Sequence, residues 1–112
     1  MRPFLLSRDT FHILVALADR DRHGYSIMQE IGERTNGTVR LSPSTLYSAI
    51  KRLLEAGYIE ELEERPDPAH DDERRRYYRL TKTGRRAAIE EARQWEKLLS
   101  DARSTGLAPK RV

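Results

Sequence analysis

Residues 41–57 carry hydroxyl and cationic side chains at a spacing that would bring them together on one side of a helix. At about 100° per residue, one face would hold Ser44, Thr45, Ser48, Lys51 and Arg52, with Tyr47 at its edge. Such groups donate hydrogen bonds to phosphate oxygens and base edges, and a helix N-terminus favours an anion. This face therefore offers the chemistry of DNA recognition, although an ordinary solvated helix surface has a similar composition.

Local signals predict where this helix begins and ends. Ser42 can cap the first turn with its hydroxyl, and Pro43 fits the first helical position because its missing N–H would be unpaired there anyway. Gly57 can adopt the left-handed conformation that ends a helix. The opposite face is apolar and should pack on the core through Leu46, Ile50, Leu53 and Leu54.

Length and composition bound the kind of protein. The chain has 112 residues, which predicts one domain with a small core that dimerisation would help to stabilise. The formal net charge is +3 and 35% of the residues are charged, with a pI near 9.4. This balance is compatible with an anionic partner but does not require one. No signal peptide or membrane-length apolar run is visible, so we expect a cytoplasmic protein with no membrane partner.

The sequence shows no sign of enzymatic chemistry. It contains no cysteine, which excludes disulfides and thiolate catalysis, and His12 and His70 are isolated from other metal ligands. There is no Ser-His-Asp set and no glycine-rich phosphate loop, and the acids Glu60 and Glu61 are expected on a solvated hairpin. We expect neither a metal nor a cofactor.

Two further helices are predicted upstream. The first follows a cap at Ser7 and runs to about Asp19; it is apolar on most sides, which indicates packing on its own domain and on a partner chain. The run DRDRHG is interpreted as a turn with Gly24 as its pivot. A second helix then continues to about Thr35, and a tight connection to the helix at Ser42 predicts a helix-turn-helix arrangement.

A hairpin is predicted after the third helix. Residues 58–63 and 75–80 are suited to two strands, and residues 64–74 between them contain two prolines and several acids, which indicates a loop. Three helices followed by a hairpin are the element order of a winged-helix domain. The predicted fold class is therefore mainly α with a small β-hairpin, a winged helix-turn-helix.

A long C-terminal helix completes the prediction. Thr81 can cap it, and residues 82–104 would span about 34 Å, more than a small core can cover. Its apolar residues step by four and three, as in a heptad seam. Together with the first helix they give a predicted dimer interface of Phe11, Val15, Ala88, Ala92, Trp95, Leu99 and Ala102. We therefore expect a DNA-binding domain at 1–81, a dimerisation helix at 82–105 and a flexible tail at 106–112.

Three strings in this order resemble the PadR family of bacterial transcriptional regulators: HGYSIMQEI from His23, LSPSTLYSAIKRLLEAGYIE from Leu41 and RRRYYRLTKTGR from Arg74. The chain is similar to the compact branch of that family, which has a single C-terminal dimerisation helix. The resemblance implies a homodimer that binds double-stranded DNA at a pseudo-palindromic operator, usually as a repressor. It also implies a possible small aromatic effector between the subunits, beside Trp95.

The resemblance also carries over DNA contacts. They would come from Ser42, Pro43, Ser44, Thr45, Leu46, Tyr47, Lys51 and Arg52, with wing contacts from Arg74, Arg75 and Arg76. The wing loop holds Asp67, Asp71, Asp72 and Glu73. Because acids repel phosphates, we expect the wing tip to stay off the DNA. Strand alternation sends neighbouring side chains to opposite faces, so two of the three arginines should matter.

The roles of two residues in the first string, and one alternative to DNA binding, complete the expectations. His23 and Tyr25 belong to the first string, and we interpret them as structural residues that pack the second helix. The alternative to DNA binding as a whole is a winged helix that docks other proteins through the outward face of its third helix.

Overall fold

The computed structural model of the protein describes residues 6–62 and 76–109. In order along the chain, the elements are α1 (Arg8–Ala18), β1 (Arg22–His23), α2 (Gly24–Arg34), α3 (Pro43–Glu55), β2 (Ile59–Glu61), β3 (Tyr77–Leu80) and α4 (Lys82–Ser104). The fold is therefore mainly helical with a small antiparallel sheet, as predicted. No helix of the described ranges is both long and apolar enough to cross a bilayer.

Each of the four helices in the described ranges begins with a side chain that caps its first turn. The hydroxyl oxygens of Ser7 and Ser42 accept a hydrogen bond from the backbone N–H three residues on, each at 3.2 Å, and Thr81 does so at 3.0 Å. These three caps confirm the predicted helix starts. The fourth cap is His23, whose Nδ1 accepts from the N–H of Ser26 at 3.1 Å. This contact gives His23 the structural role that was expected of it.

The prediction of a turn at DRDRHG was wrong in part. Arg22 and His23 form the short strand β1, which pairs antiparallel with β3, and Gly24 is the first residue of α2 rather than the pivot of a turn. The sheet has the order β1-β3-β2, so the predicted hairpin is two strands of a three-stranded sheet. A two-residue strand has no periodicity of its own and forms only because β3 provides a partner.

The hydrophobic core lies between α1, α2, α3 and the sheet. Its largest fully buried side chains are Ile13, Leu14, Ile27, Ile31, Leu46 and Leu53. The predicted inner face of α3 is confirmed, with Leu54 only partly buried and Ala49 buried in addition. Burial of this face orients α3, because the polar face must then point outward.

Gly57 and Gly84 allow the end of α3 and the start of α4 to pack closely together. Gly57 ends α3 in the left-handed region, with φ 76°, as predicted. Its carbonyl accepts a hydrogen bond from the hydroxyl of Thr81 at 2.7 Å. The first turn of α4 then passes so close to the carbonyl of Tyr58 that this oxygen occupies the space a Cβ on Gly84 would need. The start of α4 is therefore packed directly on the chain that leaves α3.

Candidate nucleic-acid interface

The outward face of α3 presents the side chains predicted from the sequence, except that Leu46, carried over as a DNA contact, is fully buried in the core. The exposed residues are Ser42, Pro43, Ser44, Thr45, Tyr47, Ser48, Lys51 and Arg52. At the start of the helix the hydroxyl of Ser42 lies 3.0 Å from that of Thr45 and 3.3 Å from that of Ser44. The helix N-terminus thus carries a cluster of exposed hydroxyl groups. Such a cluster can donate to and accept from phosphates and base edges.

Lys51 and Arg52 supply positive charge about two turns further along α3. Both side chains are exposed, and within residues 6–62 and 76–109 neither forms an ion pair with a carboxylate. Several other arginines of the described chain are paired with acids. The cations on α3 are therefore available to an external anion at no cost of breaking an internal pair.

Tyr47 joins α3 to the first turn of α2. Its side chain is 50% exposed, and its hydroxyl lies where a Cβ on Gly24 would stand. Only glycine allows this approach, so Gly24 and Tyr47 set how closely the two helices of the helix-turn-helix meet. The sequence shows the glycine, but nothing in it indicates that the neighbour is Tyr47.

Tyr78 lies on β3, the central strand of the sheet, and is 3% exposed. Burial raises the pKa of the Tyr78 hydroxyl, with further contributions from Glu61 and Tyr47, while Arg76 opposes them. A neutral hydroxyl is therefore favoured at this point between α3 and the sheet.

The wing arginines are only partly described. The guanidinium of Arg76 lies 3.5 Å from the carboxylate of Glu61 across the sheet, and both side chains are exposed. Arg79, further along β3, pairs with Asp21 at 3.2 Å, and the hydrogen bond and charge of Asp21 raise its pKa. Exposed pairs of this kind contribute little stability and can exchange for another anion. Arg74, Arg75 and the acids of the predicted loop lie outside the described residues.

The predicted dimer residues meet in part within a single chain. Phe11 packs on Trp95, with ring centroids 4.5 Å apart and planes tilted by 50°. Beside this contact an open, mostly apolar groove of about 190 Å³ runs between α1 and α4, lined by Val15, Ala88 and Ala92 among others. Leu99 remains 43% exposed and its neighbour Leu98 66% exposed. Beyond the core, α4 thus keeps apolar side chains on its surface.

Arg22 is a residue that the sequence reasoning missed. Its side chain is only 11% exposed and bonds to groups of both α1 and α2. The run of alternating charges around it is typical of a solvated turn, so periodicity provides no signal for this role. The groups that Arg22 contacts at the end of α1 and on α2 come together only when these two helices pack.

Comparison with known proteins agrees with this architecture. Residues 13–90 match the family described as Transcriptional regulator PadR-like family. The chain is 38% identical over 98 residues to Transcriptional regulator Rv3488 of Mycobacterium tuberculosis, which covers 88% of this chain and 85% of that protein.

Solved structures have the same fold. A transcriptional regulator from Clostridium thermocellum superposes with a TM-score of 0.73 at 29% identity, covering 85% of this chain and 89% of that one. A PadR family transcription regulator from Clostridium difficile superposes with a TM-score of 0.76 at 23% identity, covering 88% and 98%. Proteins of this family regulate transcription and are not enzymes. Since the family match covers more than half of its residues, this chain belongs to the PadR-like family of transcriptional regulators.

Proposed function

We propose that the protein is a homodimeric repressor that binds a pseudo-palindromic operator through the outward faces of its two α3 helices. The observation that carries the proposal is the exposed α3 surface, where a hydroxyl cluster at the N-terminus is followed by two cations that pair with no acid in the described part of the chain. A protein regulating transcription needs a surface of this kind to reach its DNA. Repression, in place of activation, is supported by the resemblance to the PadR family.

The geometry of B-DNA gives the residues at the two ends of α3 different roles in the proposed complex. The major groove is about 12 Å wide and admits one helix with its N-terminal residues at the base edges. Ser44, Thr45 and Tyr47 would then read bases or position the helix on phosphates. Lys51 and Arg52 would neutralise phosphates, each steepening the salt dependence of binding by about 0.9 in the log–log slope.

The wing would play a smaller part. Arg76 must leave Glu61 before it can bind a phosphate, although that exposed pair opposes the exchange only weakly. Arg74 and Arg75 are the other proposed wing contacts. The acids of the loop between the strands would keep its tip away from the DNA.

The second subunit would cover the apolar surface that a single chain leaves open. The groove between α1 and α4 is lined by Phe11, Val15, Ala88 and Ala92. Further along α4, the same heptad face carries Trp95, Leu99 and Ala102. A second α4 packed along this heptad seam would bury these side chains. Two α3 helices held in this way would meet half-sites about one helical turn, roughly 34 Å, apart.

A small aromatic effector would bind beside Trp95. The ring of Trp95 is partly buried and packs on Phe11, which also lines the apolar groove. Ala92, another residue of the groove, lies about one turn before Trp95 on α4. Such a ligand would shift the equilibrium only if it bound one arrangement of the subunits better than another. Quenching of the single tryptophan by planar cationic dyes, with release of bound DNA, supports this; absence of quenching at high dye concentration contradicts it.

The decisive experiment selects bound DNA from a random pool and then measures affinity for the winning sequence at two salt concentrations. We expect an enriched inverted repeat and a dimer mass by light scattering. Lys51→Glu and Arg52→Glu should each weaken binding at least about tenfold and flatten the salt dependence.

The matched control is Arg93→Glu, a charge reversal at an exposed residue of α4 that pairs with Glu90. This variant should bind like the wild type. If no sequence is enriched and binding is absent at low salt, the protein is not a DNA-binding repressor, and α3 is better regarded as a protein-docking surface.

A further inference from the structure

The C-terminal end of α1 is held by two arginines that come from different parts of the fold. The Nε of Arg22 in β1 donates to the carbonyl of Ala16 at 2.7 Å, and the Nη2 of Arg85 in α4 donates to the carbonyl of Ala18 at 3.2 Å. The last four carbonyls of a helix lack partners within it, and cations are favourable there. The last turn of α1 has no basic residue of its own. The two arginines fill this need.

Arg22 also reaches α2. Its guanidinium donates to the hydroxyl of Ser26 at 3.3 Å and lies 3.6 Å from the carboxylate of Glu30, one turn further along the same helix. It donates to Asp19 at 3.2 Å as well. The planar fork of a guanidinium can serve several acceptors at fixed angles, which an ammonium group cannot do. A largely buried arginine therefore bridges the end of α1 to one face of α2.

The carboxyl of Asp19 is perturbed by its contact with Arg22. Partial desolvation raises its pKa, but the hydrogen bond and the charge of Arg22, with help from Arg20, more than offset this and hold its pKa below the ordinary value. Asp19 therefore remains ionised beside Arg22 at neutral pH and keeps the guanidinium in place.

The helix α1 also packs on α3, on β3 and on α4. Phe11 packs on Trp95 near its start, and Arg85 binds its end. On the far side, α2 meets α3 through Gly24 and Tyr47. The helix α1 therefore contacts both the proposed dimer helix and the helix-turn-helix, and Arg22 is a largely buried polar link between α1 and α2.

We propose that Arg22 is a positioning residue that fixes the angle between α1 and α2 and so sets the separation of the two α3 helices in the dimer. The proposal rests on the dimeric DNA-binding function proposed above. One added base pair displaces a half-site by about 3.4 Å and rotates it by about 35°. A rigid link at Arg22 would therefore show itself as a preference for one half-site spacing.

The test compares operators whose half-sites are moved apart or together by one and two base pairs. The wild type should prefer one spacing by about tenfold or more, since other spacings require the DNA to twist or bend. Arg22→Met should reduce this preference to about threefold or less, and binding at the best spacing should keep its salt dependence because the same phosphates are contacted. A variant that is merely less stable would lose affinity equally at every spacing.

Two further variants distinguish the loss of the Arg22 bridge from a general loss of stability. Arg22→Lys keeps the charge but loses the fork, and Ser26→Ala combined with Glu30→Met removes both acceptors on α2 while leaving the bond to Ala16. Both should also flatten the spacing preference, and they carry the test if Arg22→Met does not fold. Arg34→Met is the matched control, since Arg34 pairs with the same Glu30 but stays within α2 and is 43% exposed. It should keep the wild-type preference.

The outcomes distinguish the two proposals. If the wild type binds no operator, the proposed function fails. If the wild type binds with a clear spacing preference and the Arg22 and α2 variants retain it in full, the positioning role of Arg22 is overturned while the proposed function stands.

Discussion

The hydroxyl of Tyr47 in α3 occupies the space that a Cβ on Gly24, the first residue of α2, would need. This contact joins the two helices of the helix-turn-helix at the point where α3 turns its polar face outward. Because Tyr47 is half-exposed, its ring can swing away if the space is filled. A larger residue at position 24 should therefore displace the side chain of Tyr47 and leave the packing of the core largely unchanged.

Gly24→Ala should therefore impair DNA binding with little loss of stability. We expect unfolding free energies within about 1 kcal/mol of the wild type, since alanine also favours the helix, and a loss of affinity similar to that of Tyr47→Ala. The double variant should bind no worse than Tyr47→Ala alone, because both changes remove one contact. Affinity by fluorescence anisotropy and stability in urea decide the matter. Wild-type binding by Gly24→Ala would show that Tyr47 does not contact DNA from this position.

A matched pair of glycines tests the packing of α4. At Gly84 a Cβ would meet the backbone carbonyl of Tyr58, which cannot move aside, whereas at Gly32 in α2 nothing lies within 4 Å. Gly84→Ala should lower the unfolding free energy by about 2–3 kcal/mol. Gly32→Ala should raise it by about 0.5–1 kcal/mol. Both values come from urea unfolding curves, and equal effects at the two positions would contradict the docking of α4 described above.

Tyr78 should make the protein sensitive to alkali. Its pKa is raised by burial and by Glu61 and Tyr47, so above about pH 10 the unfolded state releases this proton while the folded state still holds it. Its contribution to stability is complete below that pH and is lost as the pH rises through the folded pKa. The wild type should lose stability more steeply than Tyr78→Phe above pH 10. Parallel curves for the two proteins would argue against the raised pKa.

Phe11 should report on the contact between α1 and α4. Phe11→Ala removes the ring that lies 4.5 Å from Trp95, the single tryptophan of the chain. We expect a red shift of the tryptophan emission, because water gains access to the indole, and a stability loss of about 1–2 kcal/mol for a half-buried aromatic pair. Leu107→Ala serves as the control, since Leu107 is 82% exposed. An unchanged spectrum would mean that the two rings do not pack in solution.

Leu99 tests the proposed subunit contact separately from the fold of one chain. Its side chain is 43% exposed in the single chain, so removing it should cost the monomer little. Leu99→Ala should nevertheless raise the dimer dissociation constant by about tenfold or more if the heptad seam is the interface. Sedimentation equilibrium measures this directly. A dissociation constant equal to that of the wild type would remove Leu99 from the interface.

The sequence by itself determined the helices and the orientation of α3. The caps at Ser7, Ser42 and Thr81, and the end of α3 at Gly57, depend on groups within a few residues of one another. The apolar stripe of α3 likewise needs only the helical period to define which face turns outward. Because these signals depend only on residues close together in the sequence, they can be recognised without knowledge of tertiary contacts. The predicted polar face of α3 was accordingly confirmed as an exposed surface.

Only the tertiary structure decided how these elements meet. The strand β1 exists because β3 lies beside it, and the roles of Gly24 and Gly84 depend on Tyr47 and Tyr58, which are distant in sequence. Arg22 finds acceptors on two helices only after those helices have packed. Close approach and buried polar bonding depend on distances between elements, and no periodicity along the chain encodes such distances.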